Sequence, residues 1–170
     1  MPKPPLNRAD LSLPIAELRK TLARKIAAFS PAEGEHRTSI PGLFLYRRSA
    51  PTPCYRATYE PSFTVFAQGR KRVNLGGTEY ICDGSSFLLS SIDVPVESQI
   101  LEASKSAPML SMHLRLDMPT VREVLSRDDL PEPEPSSQRR GLAVGRTTVG
   151  FSTRAFASST SSKRPTTSHF

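Results

Sequence analysis

Ser62-Phe63-Thr64-Val65-Phe66-Ala67-Gln68-Gly69-Arg70-Lys71-Arg72-Val73-Asn74-Leu75-Gly76-Gly77-Thr78-Glu79-Tyr80-Ile81-Cys82 is the stretch that decides the fold. Residues 62–68 are rich in aromatic and β-branched types, which suit a pleated, half-buried surface. Gly69 punctuates the run, and residues 70–75 read as a second strand. Gly76-Gly77 is a hairpin signal, because the favoured two-residue turn needs positive φ at its centre. Residues 78–82 are the returning strand. Asp83-Gly84 is another turn dipeptide, followed by Phe87-Leu88-Leu89.

Outward from this centre the same grammar continues. Residues 43–46 read as a short strand, as do residues 96–103. Residues 109–116 alternate cleanly: Leu110, Met112, Leu114 and Leu116 face one way, Ser111, His113 and Arg115 the other. Short strands at regular spacing, broken by Gly, Pro and Asp, predict a mainly β sandwich or barrel. Helical spacing precedes them in Ile15, Leu18, Leu22, Ile26 and Phe29, with Ser12 as N-cap and Pro14 in the first turn. Ser30-Pro31 ends that helix, since a residue before proline resists the α region. Pro119 opens a short helix with Val121, Val124 and Leu125 on its apolar side. Residues 128–140 interleave Pro131, Pro133 and Pro135 with acids, a loop by composition. Residues 141–145 fit one more turn or strand.

Bulk properties narrow the function classes. A chain of 170 residues suits one domain with one core. Its net charge of +7 invites a nucleic-acid reading, yet three of those charges are Arg154, Lys163 and Arg164 in a tail without acids. Much of the remainder is Arg19, Lys20, Arg24 and Lys25, which fit the wet face of a helix. Solvated surface is therefore the better account. The two cysteines, Cys54 and Cys82, form no C-x-x-C and demand no disulfide. No apolar run follows Lys3 and Arg8, and none approaches the roughly 18 residues of a membrane span, so a cytoplasmic protein without membrane partners is expected.

After Gly150 the composition shifts to Ser and Thr, acids vanish and no apolar period survives. Back-translation accounts for this as a frame change. Phe151-Ser152-Thr153-Arg154, written TTC TCG ACG CGN and read one base upstream, becomes Leu-Leu-Asp-Ala. The rest of the tail can yield an amphipathic helical segment ended by proline, a more protein-like pattern. The expected organisation is a disordered N-terminus over residues 1–11, one domain over 12–149, and an out-of-frame, disordered tail over 150–170.

The ordered series Tyr59-Glu60-Pro61-Ser62 and Gln68-Gly69-Arg70-Lys71-Arg72-Val73, then Leu75-Gly76, Tyr80 and Asp83-Gly84, carries a resemblance. Ser90-Ser91-Ile92-Asp93-Val94-Pro95-Val96, Glu102-Ala103-Ser104, Pro108-Met109-Leu110 and Arg140-Gly141-Leu142-Ala143-Val144-Gly145 continue it. Over residues 15–149 the chain resembles the N-terminal domain family of AraC-type transcription regulators. That resemblance implies a cupin-like β-barrel or jelly roll with an N-terminal and a short C-terminal helix. It implies a domain that senses a small-molecule effector or helps form a homodimer. In the full family, paired helix-turn-helix motifs follow and bind promoter DNA; nothing after Gly150 offers them, so the chain is expected to be truncated before its DNA-binding half.

The side-chain inventory argues against an enzyme. Cupin metal sites need several histidines with a glutamate, and only His36, His113 and His169 are present, with His36 expected in a loop and no H-x-H. No serine sits in G-x-S-x-G, and no phosphate loop accompanies Gly76-Gly77. No cofactor is implied. A pocket in a small barrel is the better reading, with Tyr46, Tyr59, Gln68 and His113 as candidate ligand-binding residues, because each sets a polar group on or beside an apolar strand. The competing reading of each is an outward-facing strand residue. Arg70-Lys71-Arg72 reads as an edge guard against aggregation, with a phosphate patch as the alternative. The competing functions are a cupin-type small-molecule enzyme and a non-functional frame-shifted remnant.

Overall fold

The computed structural model describes residues 15–127 and 141–147. The expectations for residues 1–11, Ser12, Pro14, the loop at 128–140 and the tail at 150–170 lie outside the described residues. What is described is mainly β, two antiparallel sheets with two helices.

The chain enters through α1 (Ile15–Phe29) and then runs through ten strands. These are β1 (Gly34–Arg37), β2 (Leu43–Arg48), β3 (Tyr55–Tyr59), β4 (Ser62–Gln68) and β5 (Arg70–Leu75). Then follow β6 (Thr78–Asp83), β7 (Ser86–Ser90), β8 (Val94–Glu102), β9 (Met109–Arg115) and, after α2 (Met118–Leu125), β10 (Leu142–Arg146). One sheet has the order β1-β2-β9-β4-β7-β10 and the other β3-β8-β5-β6. Consecutive strands therefore often belong to different sheets, and the chain crosses between layers at short corners. At Gly69, between β4 and β5, φ is +84°, a conformation that L side chains resist. Gly76 and Gly77 both have positive φ and close the β5–β6 hairpin as their sequence requires.

The six-stranded sheet is buried on both faces, and the two-residue period sorts its side chains. Leu43, Leu45, Val65, Ala67, Leu110 and Met112 meet Leu22, Ala23 and Ile26 of α1. Full burial of a leucine or isoleucine such as these is worth about 1.5–3 kcal/mol. On the other face Phe66 and Leu88 pack against Val73, Cys82, Val94 and Val96 of the second sheet. Lys20 and Arg24 lie on the exposed side of α1, where Lys20 pairs with Glu17 at 2.8 Å. Phe29, assigned by spacing to the apolar stripe, is 44% exposed at the helix end.

Three expectations need correction. His36 lies in β1 rather than a loop; its Nε2 donates to the Ala32 carbonyl at 2.8 Å. The polar run Gly34-Glu35-His36-Arg37 carries no strand signature of its own and becomes a strand by pairing with β2. The strand β3 was absent from the sequence reading, since it is an exposed edge strand behind Pro51 and Pro53. Finally, β5 is no edge: it lies between β8 and β6, so Arg70-Lys71-Arg72 does not guard one. The helix at Pro119 forms, capped by Asp117, which accepts from the Thr120 N–H at 3.1 Å. None of its described side chains is buried.

Candidate functional site

Between the two sheets lies a cavity of about 360 Å³. Register explains which side chains reach it. Leu45 and Leu43 point to α1, so Phe44 and Tyr46 point the other way. Phe44, His113 and Thr64 are cross-strand partners in one row of the six-stranded sheet; Tyr46, Ser111 and Phe66 form the next. The opposite sheet contributes Tyr59 from β3 and Lys71 from β5. Lys71 shares the parity of Val73, a fully buried core residue, and so faces inward between the layers. Arg70 and Arg72 face outward, where Arg70 pairs with Glu102 at 3.0 Å and Arg72 with Glu79 at 3.5 Å and with Gln99. Glu35, Glu60 and Arg115 form an exposed rim, with Arg115 and Glu60 paired at 3.3 Å.

The polar groups inside are held in place. His113 Nδ1 and Thr64 Oγ1 share a hydrogen bond of 2.9 Å, and the His113 ring lies 6.3 Å from that of Phe44. The Tyr59 hydroxyl is bonded to Ser98 Oγ at 3.0 Å. The Tyr46 hydroxyl accepts from Arg48 Nε at 3.0 Å. The Lys71 ammonium stands 5.3 Å from the centre of the Tyr59 ring, a cation–π distance. None of the carboxylates among the described residues is within ion-pair distance of it. Burial draws the Lys71 ammonium down, but Tyr59, Tyr55 and Tyr46 more than offset this, and its pKa ends above the ordinary lysine value.

His113 is the opposite case. Burial, foremost, holds its pKa below the ordinary 6.5; Glu35 works against that shift and Arg115 adds to it. As the pH falls, the unfolded chain takes up this proton before the folded one does. The stability His113 contributes is complete above pH 6.5 and is lost as the pH drops through the lower folded value. His113→Asn is accordingly expected to flatten the acid-side decline of the melting temperature below pH 6.5. Parallel melting curves for the variant and the parent across that range would remove this assignment.

Of the four candidates from sequence, Tyr46, Tyr59 and His113 line one cavity. Gln68 does not. A register shift between Phe66 and Gln68, opposite Ser111 and Leu110, inserts one extra residue and reverses the parity of the strand end. Gln68 turns to the α1 side and donates from Nε2 to the Pro108 carbonyl at 2.8 Å. Lys71 is the residue that sequence reasoning missed. The signal was present: Lys71, Val73 and Leu75 alternate, and two of the three are apolar. Cys82 sits in the inter-sheet core, where burial, above all, pushes its thiol up to about 12; Cys54 is exposed, and both are free. Among the described residues no three His, Cys, Asp or Glu gather as metal ligands, and no helix is long and apolar enough to cross a membrane.

Two antiparallel sheets with a half-open cavity between them, lined by tyrosines, a histidine and a lysine, define a cupin-like β domain. The model of the family described as AraC-type transcriptional regulator N-terminus matches residues 39–156, well over half of the chain, and the chain belongs to that family. The match begins after α1 and crosses Gly150. No curated protein matches the chain. Among solved structures, an apo ToxT variant from Vibrio cholerae is similar at 8% identity and a TM-score of 0.49, covering 77% of this chain and 51% of that one. The chain thus spans about half the length of that protein.

Proposed function

We propose that residues 12–149 are an effector-sensing domain of an AraC-type regulator, and that the inter-sheet cavity holds the effector. The observation that carries this reading is the convergence of Tyr46, Tyr59, Lys71 and His113, from both sheets, on one cavity of about 360 Å³. Pockets for small ligands are commonly of this size. Family membership supports a regulatory role over catalysis, and so does the His113 Nδ1, which is engaged by Thr64. In this proposal the protein works in the cytoplasm. Occupancy of the cavity favours one placement of a DNA-binding half over another, and promoter DNA is contacted only through that half. A homodimer of this domain is part of the same reading. Residues 150–170 are proposed to be out of frame, which the nucleotide sequence past codon 150 tests directly.

The cavity itself is tested by filling it. Ser111 is buried in the middle row of its floor, between Tyr46 and Phe66. In calorimetric titrations of a panel of small acids, amides, amines and monosaccharides, at least one compound is expected to bind the parent saturably. Ser111→Phe, checked for a cooperative melt, is expected to abolish that binding. Binding that survives Ser111→Phe unchanged would place the ligand elsewhere and end the proposal.

A further inference from the structure

We infer that the groove between α1 and the β8–β9 loop, on the face of the six-stranded sheet turned away from the cavity, docks an acidic peptide segment of a partner protein. The segment carries small apolar residues among its acids. This surface is separate from the cavity and does not depend on what the cavity holds. Four cations line the groove, whose volume is about 540 Å³: Lys20 and Arg24 from α1, Arg47 from β2 and Lys105 from the β8–β9 loop. One carboxylate, Glu17, stands among them and is taken by Lys20 at 2.8 Å. Arg24 and Arg47 bond neutral oxygens instead. Arg24 Nη2 donates to Thr21 Oγ1 at 3.1 Å, and Arg47 Nη1 donates to the Ser30 carbonyl at 3.3 Å. None of the carboxylates among the described residues is within ion-pair distance of Arg24, Arg47 or Lys105. The outward arginines of the other sheet differ: Arg56 faces Glu97, Arg70 faces Glu102 and Arg72 faces Glu79. Three elements far apart in sequence thus bring like charges to one groove, an arrangement that a partner with several negative charges relieves.

The chemistry of the partner follows from the rest of the lining. A single carboxylate would answer one cation and leave the others as they were, so the partner brings several acids. Ala23, Ala27, Pro108 and Leu110 make the floor apolar, which suits short hydrocarbon side chains between the acids. Gln68 also lines the floor, and its Nε2 is committed to the Pro108 carbonyl at 2.8 Å. Its Oε1 is left to accept, as a peptide N–H requires. Nucleic acid fits less well. No aromatic side chain lines the groove to stack on a base, and the Glu17 carboxylate and the Gln68 acceptor interrupt the basic stripe that a phosphate backbone follows.

The test uses a labelled peptide of about twelve residues, a repeat of Glu-Ala-Leu-Glu, beside the same peptide with every Glu replaced by Gln. Fluorescence anisotropy with the full chain at low salt reads the binding. The acidic peptide is expected to bind at least roughly 10-fold more tightly than its Gln counterpart, and to weaken as salt rises to about 0.3 M. Arg24→Glu with Lys105→Glu, both exposed positions, is expected to weaken it by roughly 10-fold or more while the melting temperature stays near that of the parent. Arg37→Glu with Arg122→Glu makes the same change in net charge outside the groove and should weaken binding far less. Equal losses in the two double variants would mean attraction to overall charge and overturn the inference. So would equal binding of the Glu and Gln peptides, or no binding of either. A short DNA duplex that binds more tightly than the acidic peptide, and is lost with Arg24→Glu and Lys105→Glu, would make the groove a phosphate contact and overturn the peptide reading.

Discussion

Gly69→Ala is expected to destabilise the domain by about 2–4 kcal/mol, the sum of a left-handed backbone penalty and an overpacked contact. Gly69 is the corner at which the chain leaves the six-stranded sheet and enters the other. Its φ is +84°, and a Cβ there would lie 2.7 Å from the Met109 Cα and 2.7 Å from the Met109 Cβ. Backbone atoms stand in the way, so no rotamer change relieves the clash. The melting midpoint of a domain this size should drop by about 10 °C. Gly76→Ala is the control. Gly76 also has positive φ, 55°, but nothing lies within 4 Å of its added Cβ. Its loss should stay near 1 kcal/mol, the conformational part alone. Equal losses at the two sites would show that the approach of Met109 is not what limits the corner.

A second large loss, about 3 kcal/mol, is expected for Ile26→Ala, within the range for deleting buried branched side chains. Ile26 is 2% exposed and sits in the cluster formed by α1 and the six-stranded sheet. The family match begins at residue 39, so α1 precedes it. Yet α1 covers Leu43, Leu45, Val65, Ala67, Leu110 and Met112, a face that would otherwise be a contiguous apolar surface. Exposed positions on the same helix serve as the contrast: Lys20→Ala, which removes a surface pair with Glu17, should change stability by less than about 1 kcal/mol. Urea titrations of both variants measure this. An Ile26→Ala midpoint within error of the parent would mean that α1 docks without contributing to the core, and that the functional unit starts later than residue 12.

These two substitutions probe different kinds of information. The hairpin at Gly76-Gly77, the alternation of residues 109–115 and the period of α1 are local matters, and each formed where its residues indicated. Period-two patterning also sorted Ser111 and His113 from Leu110 and Met112, which is why His113 was recognisable as facing away from the hydrophobic side. Tyr46 and Tyr59 rested on a weaker rule, a polar group on or beside an apolar strand, and both line the cavity. Gln68 does not, because one extra residue at a bulge reverses parity and leaves no mark in composition. Lys71 was hidden by its neighbours: within Arg70-Lys71-Arg72 three cations look alike, and only the flanking Val73 and Leu75 tell which of them turns inward.

By itself, then, the sequence determined that short alternating strands build a mainly β domain behind an amphipathic helix, because side-chain periodicity is a property of the local backbone. It also carried, in the ordered motif from Tyr59 to Gly145, the family to which the chain belongs. Tertiary structure alone decided that β5 lies inside its sheet, that Gln68 leaves the cavity, and that Lys71 enters it beside Tyr59. The physical reason is that strand order, bulges and the facing of two sheets depend on contacts between residues far apart in the chain, such as β4 with β9 and β5 with β8, which no local pattern encodes.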